Sequence, residues 1–262
     1  MTTDKLTVEK DSGVAWLTIN QPERRNAFSL AMWQAVPAIM ADCAEDDAVK
    51  AIVLTGAGDK AFSAGNDISE FGELRSTPEQ IAAYHATTGR AYAAISGAAK
   101  PTIAMIQGFC IGGGLEVSQL CDLQIAADNA RFAVTPARLG LGYKYEDVRL
   151  LTRNVSAKHA KELLFTARVF DAHEALAMGL INRVAPAAEV IAFTNDYART
   201  IAANAPLSVQ AAKVIVHEAV KPEGDADLEL CRRWVEKCDN SADYREGQRA
   251  FAEKRKPAFT GR

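Results

Sequence analysis

Three short runs in the chain are apolar on every residue or nearly so, and helix-like stretches separate them. They are Ala51-Ile52-Val53-Leu54-Thr55, Pro101-Thr102-Ile103-Ala104-Met105-Ile106 and Leu123-Gln124-Ile125-Ala126. A strand with one wet face alternates polar and apolar residues, and these do not. Strands buried on both faces need helices packed on both sides, which is the arrangement of a largely parallel α/β sheet. The first two runs open into glycine-containing loops, Gly56-Ala57-Gly58 and Gly108 to Gly114.

The rest of the chain fits this frame. Residues 6–10 and 14–19 read as two strands joined by Asp11-Ser12-Gly13, a hairpin signal. Ser29 caps a helix reaching about Ala44, with Pro37 expected to kink it. Thr77-Pro78-Glu79 opens a helix to about Ser96, proline being favourable at the first helical position. Gly112-Gly113-Gly114 leads into a helix over 115–120, and 131–134 reads as a short strand. From about Glu146 the pattern is helical. Asp171-Ala172-His173-Glu174 forms a capping box, Gly179 stops that helix, and 180–184 reads as the last strand. After about Ile191 only helices are expected. A helical tail over 206–262 cannot bury both of its faces on itself and is expected to pack on a neighbouring subunit.

Composition removes several function classes. The chain has 262 residues, 48% hydrophobic and 24% charged, which is globular rather than disordered. Lys and Arg number 30 against 33 Asp and Glu, net −3, which argues against a general nucleic-acid binder. No apolar run approaches the roughly 18 residues of a membrane helix, and the start (Met1-Thr2-Thr3-Asp4-Lys5) has no signal-peptide character. Cys43, Cys110, Cys121, Cys231 and Cys238 are odd in number and contain no CxxC pair, so they are expected to be buried free thiols in a reducing cytoplasm. His85, His159, His173 and His217 lie far apart and form no HExxH, so no metal site is expected.

Chemistry is expected in the two loops that follow buried strands, where open α/β folds place ligands. They contain Phe62-Ser63-Ala64-Gly65-Asn66-Asp67 and Gly108 to Glu116. The triple glycine either permits tight helix–strand contact or lets backbone amides approach a ligand. One N–H from each loop, converging on a single oxygen, would make an oxyanion hole. No Gly-Lys-Ser/Thr follows, so this is not a phosphate-cradling P-loop, and Gly108 and Gly112 are wrongly spaced for a dinucleotide fingerprint. Ala61-Phe62-Ser63-Ala64-Gly65 lacks the first glycine of a nucleophile elbow, and no histidine is matched to it as base. Glu116 falls in the first turn of the helix that the glycines open. It is either a partner of the helix dipole or an acid/base group whose pKa is raised among Leu115, Val117 and Leu120.

Several longer motifs, in order, cover almost the whole chain. They are Asn20-Gln21-Pro22-Glu23…Asn26-Ala27, Phe62-Ser63-Ala64-Gly65-Asn66-Asp67-Ile68, Ile111-Gly112-Gly113-Gly114-Leu115-Glu116 and Cys121-Asp122-Leu123. Ala175-Leu176-Ala177-Met178-Gly179-Leu180-Ile181-Asn182 and the tail Glu246-Gly247…Ala250-Phe251-Ala252-Glu253-Lys254-Arg255-Lys256-Pro257 complete the set. Together they resemble the crotonase (enoyl-CoA hydratase/isomerase) superfamily. The resemblance implies a spiral of ββα repeats, with residues 1–205 as the acyl-CoA-binding core. It implies that 206–262 is a helical oligomerisation region serving a homotrimer or a dimer of trimers. It also implies an acyl-CoA substrate and a stabilised thioester enolate. No separate cofactor is expected, coenzyme A entering as part of the substrate.

By motif position, the amides of Asn66 and Gly113 would form the oxyanion hole and Glu116 would be the acid/base. Arg24 and Ile68 would lie along the CoA arm, with Ala64, Asp67 and Gly112 lining the same substrate path. Phe251 and Lys254, from an adjacent subunit, would meet the adenine-ribose-phosphate end. Hydratases of the family use a second glutamate after a proline. In Thr135-Pro136-Ala137-Arg138-Leu139-Gly140 that place is Ala137, whose methyl group cannot deprotonate water. The stretch running on to Tyr143 also resembles methylmalonyl-CoA decarboxylases, where a phenol at this place would hold the substrate carboxylate. Lys144-Tyr145-Glu146-Asp147 departs from that subgroup, and Glu146 or Asp147 is a candidate replacement carboxylate. The sequence therefore supports an acyl-CoA lyase or isomerase first, a malonyl- or methylmalonyl-CoA-type decarboxylase second and a non-catalytic acyl-CoA binder third.

Overall fold

The computed structural model describes residues 3–138 and 140–262. Met1 and Thr2 of the N-terminal reading and Leu139 of the Pro136-to-Tyr143 motif lie outside the described residues. In chain order the elements begin with the hairpin β1 (Leu6–Asp11) and β2 (Val14–Ile19), then α1 (Leu30–Glu45), β3 (Ala51–Gly56), β4 (Ala61–Ser63), α2 (Phe71–Leu74) and α3 (Pro78–Ser96). Next come β5 (Thr102–Ile106), β6 (Phe109–Ile111), α4 (Gly113–Leu120), β7 (Leu123–Ala127), β8 (Arg131–Ala133), α5 (Tyr145–Thr152) and α6 (Ala157–Thr166). Last are β9 (Phe170–Asp171), α7 (Ala172–Ala177), β10 (Arg183–Ala185), α8 (Val190–Ala202), α9 (Pro206–Ala219), α10 (Leu228–Asp239) and α11 (Ala242–Ala252).

Six strands form one sheet in the order β1-β2-β3-β5-β7-β10, and four form a second in the order β4-β6-β8-β9. Within the larger sheet only the β1–β2 hairpin is antiparallel. Each of β3, β5 and β7 passes directly into a short strand of the second sheet, β4, β6 and β8, before a helix returns the chain. The fold is thus an α/β spiral of ββα turns, as the resemblance implied. The two faces of the large sheet separate at every second residue. Ile52, Leu54, Ala104 and Ile106 face the main core with Met32 and Trp33 of α1, while Val53, Ile103, Met105 and Ile125 face α8 through Val190 and Ala198. That division is why these strands read as unbroken apolar runs.

Local signals worked where their physics is local. Ser29 accepts from the Met32 N–H at 3.3 Å, and Asp171 and Glu174 close a capping box as expected. Thr77 and Gln80 form a second capping box. Three expectations need correction. The last strand is Arg183–Ala185, not 180–184, because Leu180 and Ile181 turn into the core ahead of it. The helix after the glycines starts at Gly113 rather than Leu115. Cys43, Cys110 and Cys121 are buried, but Cys231 and Cys238 are only partly so, since they lie on α10, which has no buried residue. All five are free thiols. Among the described residues no helix is long and apolar enough to cross a membrane.

Candidate active site

The loops after β4 and β6 meet edge to edge. Phe28 donates its N–H to the Gly65 carbonyl at 2.7 Å, and Asp67 donates its own to the Phe28 carbonyl at 2.9 Å, which fixes the backbone on both sides of Asn66. Gly65 sits at φ +92°, and a Cβ on it would stand 2.9 Å from the Gly113 nitrogen. Gly112 takes φ +54° and ψ −121°, a conformation open to glycine and not to L side chains. Gly114 has another reason to be glycine: a Cβ there would lie 2.2 Å from the Ser63 carbonyl oxygen of β4. Of the two purposes that the sequence left open, the structure shows the tight helix–strand contact, at Gly114. Gly112 bends the backbone and Gly114 allows close contact, and the result sets Gly113 beside Asn66.

Among the described residues, neither the Asn66 N–H nor the Gly113 N–H has an acceptor. Gly113 is the first residue of α4, so its N–H has no intrahelical partner. An ideal Cβ on Gly113 lies 3.6 Å from the Asn66 nitrogen, so the two donors are neighbours. The Asn66 side chain is held from behind. Its Oδ1 accepts from Trp33 Nε1 at 3.0 Å and from the Tyr84 hydroxyl at 2.9 Å. Trp33 is itself fixed, stacked on Phe28 with ring centroids 4.0 Å apart and edged by Tyr92 at 5.5 Å.

Glu116 stands one turn into α4, partly exposed, with α3 and α5 packed on either side of its helix. Tyr92 of α3 donates its hydroxyl to Glu116 Oε2 at 2.8 Å. Tyr143, packed on the main core just ahead of α5, is a second hydrogen-bonding phenol for the same carboxyl. Burial raises the Glu116 pKa, the charge of Asp147 raises it further, and the two phenols pull only partly the other way. The Tyr92 and Tyr143 hydroxyls are both driven well above the usual phenol range, chiefly by burial and then by the Glu116 charge, so both remain donors.

The remaining candidates divide into two groups. Arg24 Nη1 donates to Asp67 Oδ2 at 2.6 Å and to Ser69 Oγ at 2.5 Å. Asp67 Oδ1 accepts from the Ser69 N–H and hydroxyl, so both carboxylate oxygens already have protein partners. Burial would raise the Asp67 pKa, but Ser69 and the Arg24 guanidinium together hold it below its ordinary value. Ala64 gives its N–H to the Arg25 carbonyl at 3.0 Å, and Ile68 is 75% exposed at the start of the following turn. Ala137 is exposed in the turn Pro136–Arg138. Phe251, 88% exposed, and Lys254, at φ +52°, lie at the end of α11, among the C-terminal helices.

Trp33, Tyr84 and Tyr92 were not recognised as part of this cluster from sequence. Tyr84 and Tyr92 are eight residues apart on α3, a spacing that puts both on one helix face, and that was the available signal. Of the two acidic residues weighed after Tyr143, Glu146 is exposed and Asp147 is partly buried, with its charge raising the Glu116 pKa. No group of three or more His, Cys, Asp or Glu among the described residues is placed to hold a metal ion. A small cavity lined by Asp47, Lys50, Lys100, Pro101, Asn204 and Gly261 lies at the opposite, N-terminal ends of β3 and β5, away from the two loops.

The chain is similar to known proteins over nearly its whole length. The family model described as enoyl-CoA hydratase/isomerase matches residues 9–262. A short-chain-enoyl-CoA hydratase of Clostridium acetobutylicum is 32% identical over 256 residues, covering 98% of this chain and 97% of the relative. A crotonyl-CoA hydratase of Syntrophomonas wolfei is 33% identical over 263 residues, covering 99% of each. The crystal structure of an enoyl-CoA hydratase/carnithine racemase from Magnetospirillum magneticum superposes with a TM-score of 0.92 at 33% identity, covering 100% of this chain and 97% of that one.

Proposed function

Because the chain belongs to the enoyl-CoA hydratase/isomerase family, we propose that it turns over an unsaturated acyl-CoA through a thioester enolate. The enolate oxygen is held by the N–H groups of Asn66 and Gly113, and Glu116 moves the proton. One observation carries this reading: two neighbouring backbone donors without acceptors stand at the end of the helix that bears a half-buried carboxyl. Preorganised N–H groups gain most where negative charge develops, and removing one such donor typically costs about 2.7–4 kcal/mol. The first turn of α4 adds the positive end of its helix dipole.

Glu116 is suited to both directions of proton transfer. Its pKa is raised by burial and by Asp147, which brings proton uptake and release nearer to neutral pH. The Tyr92 hydroxyl fixes one of its oxygens. A single carboxylate can carry a proton from one carbon to another, so double-bond migration asks for nothing more. Arg24, steadied by Asp67, is assigned to the CoA arm with Ile68. The decarboxylase reading is weakened because the Asp147 charge already raises the Glu116 pKa, and a substrate carboxylate placed beside Glu116 would add a further like charge.

The test offers the protein crotonyl-CoA, a 3-enoyl-CoA and methylmalonyl-CoA, and follows hydration, double-bond migration and CO₂ release. Turnover of an enoyl-CoA is expected, unaffected by dialysis against EDTA, with no CO₂ released. Glu116→Gln is expected to lower turnover by about 10²–10⁴-fold, the usual worth of a positioned acid/base. An unchanged rate in Glu116→Gln would remove its assigned role.

A further inference from the structure

We infer that Asp147 is the second carboxylate of this site, holding and deprotonating the water that adds across the double bond, in place of the glutamate that Ala137 has replaced. The inference rests on the enoyl-CoA reading above and adds hydration to it.

The placement is specific. Asp147 is the third residue of α5, the helix packed on α4 beside Glu116. It is partly buried, while its neighbours Tyr145, Glu146 and Arg149 are exposed. Four residues earlier Tyr143 meets the Glu116 carboxyl, so one turn of chain carries both a phenol and a carboxylate to the same site. The Asp147 charge acts on Glu116 of α4, on Tyr92 of α3 and on Tyr143, while Lys144, Glu146 and His85 act on Asp147. Burial raises the Asp147 pKa, and the Lys144 charge and its backbone N–H offset this in part. Like charges that share a site favour a state with one proton between them. That state is what addition of water requires, one group protonated and the other ionised.

The step balances from that state. The water O–H bond breaks and its proton passes to the Asp147 carboxylate as the oxygen bonds to Cβ. The C=C π pair becomes a double bond between Cα and the thioester carbon, and the C=O π pair moves onto the thioester oxygen, where the Asn66 and Gly113 N–H groups stabilise it. Collapse of this enolate takes the Glu116 proton onto Cα. Asp147 is left protonated and Glu116 ionised, and exchange with solvent resets the pair. Ala137, exposed in the turn Pro136–Arg138, takes no part.

The Lys144 backbone N–H at the start of α5 also favours the ionised Asp147 carboxyl. Asp147→Asn keeps an acceptor for that N–H but cannot take a proton, so it separates the two roles. Hydration of crotonyl-CoA and double-bond migration in a 3-enoyl-CoA are measured on wild type, Asp147→Asn and Glu146→Gln, with thermal unfolding as the check on folding. The expected result is a loss of hydration of about 10²-fold or more in Asp147→Asn, the lower end of the range for a positioned base. Migration should stay within a few-fold of wild type, and Glu146→Gln should change neither reaction. Undiminished hydration in Asp147→Asn, or an equal fall in both reactions with a lower melting temperature, overturns the inference and leaves Asp147 a structural residue of α5. Wild type that migrates double bonds but does not hydrate them also overturns it and spares the enoyl-CoA reading. Wild type that does neither sinks both.

Discussion

Glu116 is costly to bury, and what surrounds it limits that cost. The Tyr92 hydroxyl at 2.8 Å and the Tyr143 phenol stabilise its ionised form, while burial and Asp147 oppose it. The sign of a Tyr92→Phe substitution follows. Removing a donor to the carboxylate leaves burial and Asp147 less opposed, so the Glu116 pKa rises further. A reaction that begins with ionised Glu116 then needs a higher pH to reach its full rate. The ascending limb of the pH–rate profile for 3-enoyl-CoA migration is expected to shift to higher pH in Tyr92→Phe, and a profile that stayed in place would show that this hydrogen bond does not tune the base. The place of the carboxylate was readable from one chain, because Glu116 falls in the first turn of the helix that three glycines open. Its tuning was not. Trp33, Tyr84 and Tyr92 reach the site from helices distant in sequence, and the shared face of Tyr84 and Tyr92 on α3 does not by itself mark them as more than core aromatics.

The long strands and capped helices were readable for a related reason: their signals lie within a few residues of the structure they specify. The β1–β2 hairpin, α1 behind Ser29 and α3 behind Thr77 all start where their turn or cap residues stand. Of the second sheet only β8 was readable, because β4, β6 and β9 are two or three residues each, too short to show alternation. Yet β4 and β6 set the spacing of the site. Gly114 shows how little slack they leave, with Ser63 of β4 2.2 Å from any added Cβ. In Gly114→Ala either β4 or the start of α4 must move. Overpacking of this kind costs about 1–3 kcal/mol, seen as a lower melting temperature. The larger effect is expected on kcat. Separating Gly113 from Asn66 spoils one oxyanion donor, a loss of about 10²–10³-fold in kcat. Full kcat in Gly114→Ala would mean that the two loops do not need to stay in contact for the chemistry. Gly72, where an added Cβ meets nothing, is the matching control.

The C-terminal helices pose the question of assembly. None of the α10 residues is buried, and Leu228, Val235, Tyr244 and Phe251 across α10 and α11 are largely exposed. The C-terminal end of the chain folds back on α11: the Ala242 N–H gives to the Arg262 carbonyl at 2.7 Å, and Asp243 accepts from the Thr260 and Gly261 N–H groups. Glu246 likewise holds Arg255 and Arg249, whose charges keep its carboxyl well below the usual range. These bonds order the far end of the chain while Phe251 stays 88% exposed, one of several exposed apolar side chains on α10 and α11 of the kind that mark an interaction surface when they lie together. We propose that 206–262 is the oligomerisation region and that Phe251 and Lys254 reach the CoA of a neighbouring copy. Sedimentation is then expected to give three or six times the mass of one chain, and Val235→Glu to lower it. A contact with the adenine end lies far from the reacting carbonyl, so it binds substrate and transition state alike and appears in KM rather than kcat. Lys254→Ala is expected to raise KM for the CoA ester several-fold with kcat little changed, and to have no such effect on a truncated thioester that lacks the nucleotide. A monomer in solution with wild-type KM would contradict the intersubunit contact, while a fall in kcat with the truncated substrate would place Lys254 nearer the chemistry than its position at the end of α11 allows.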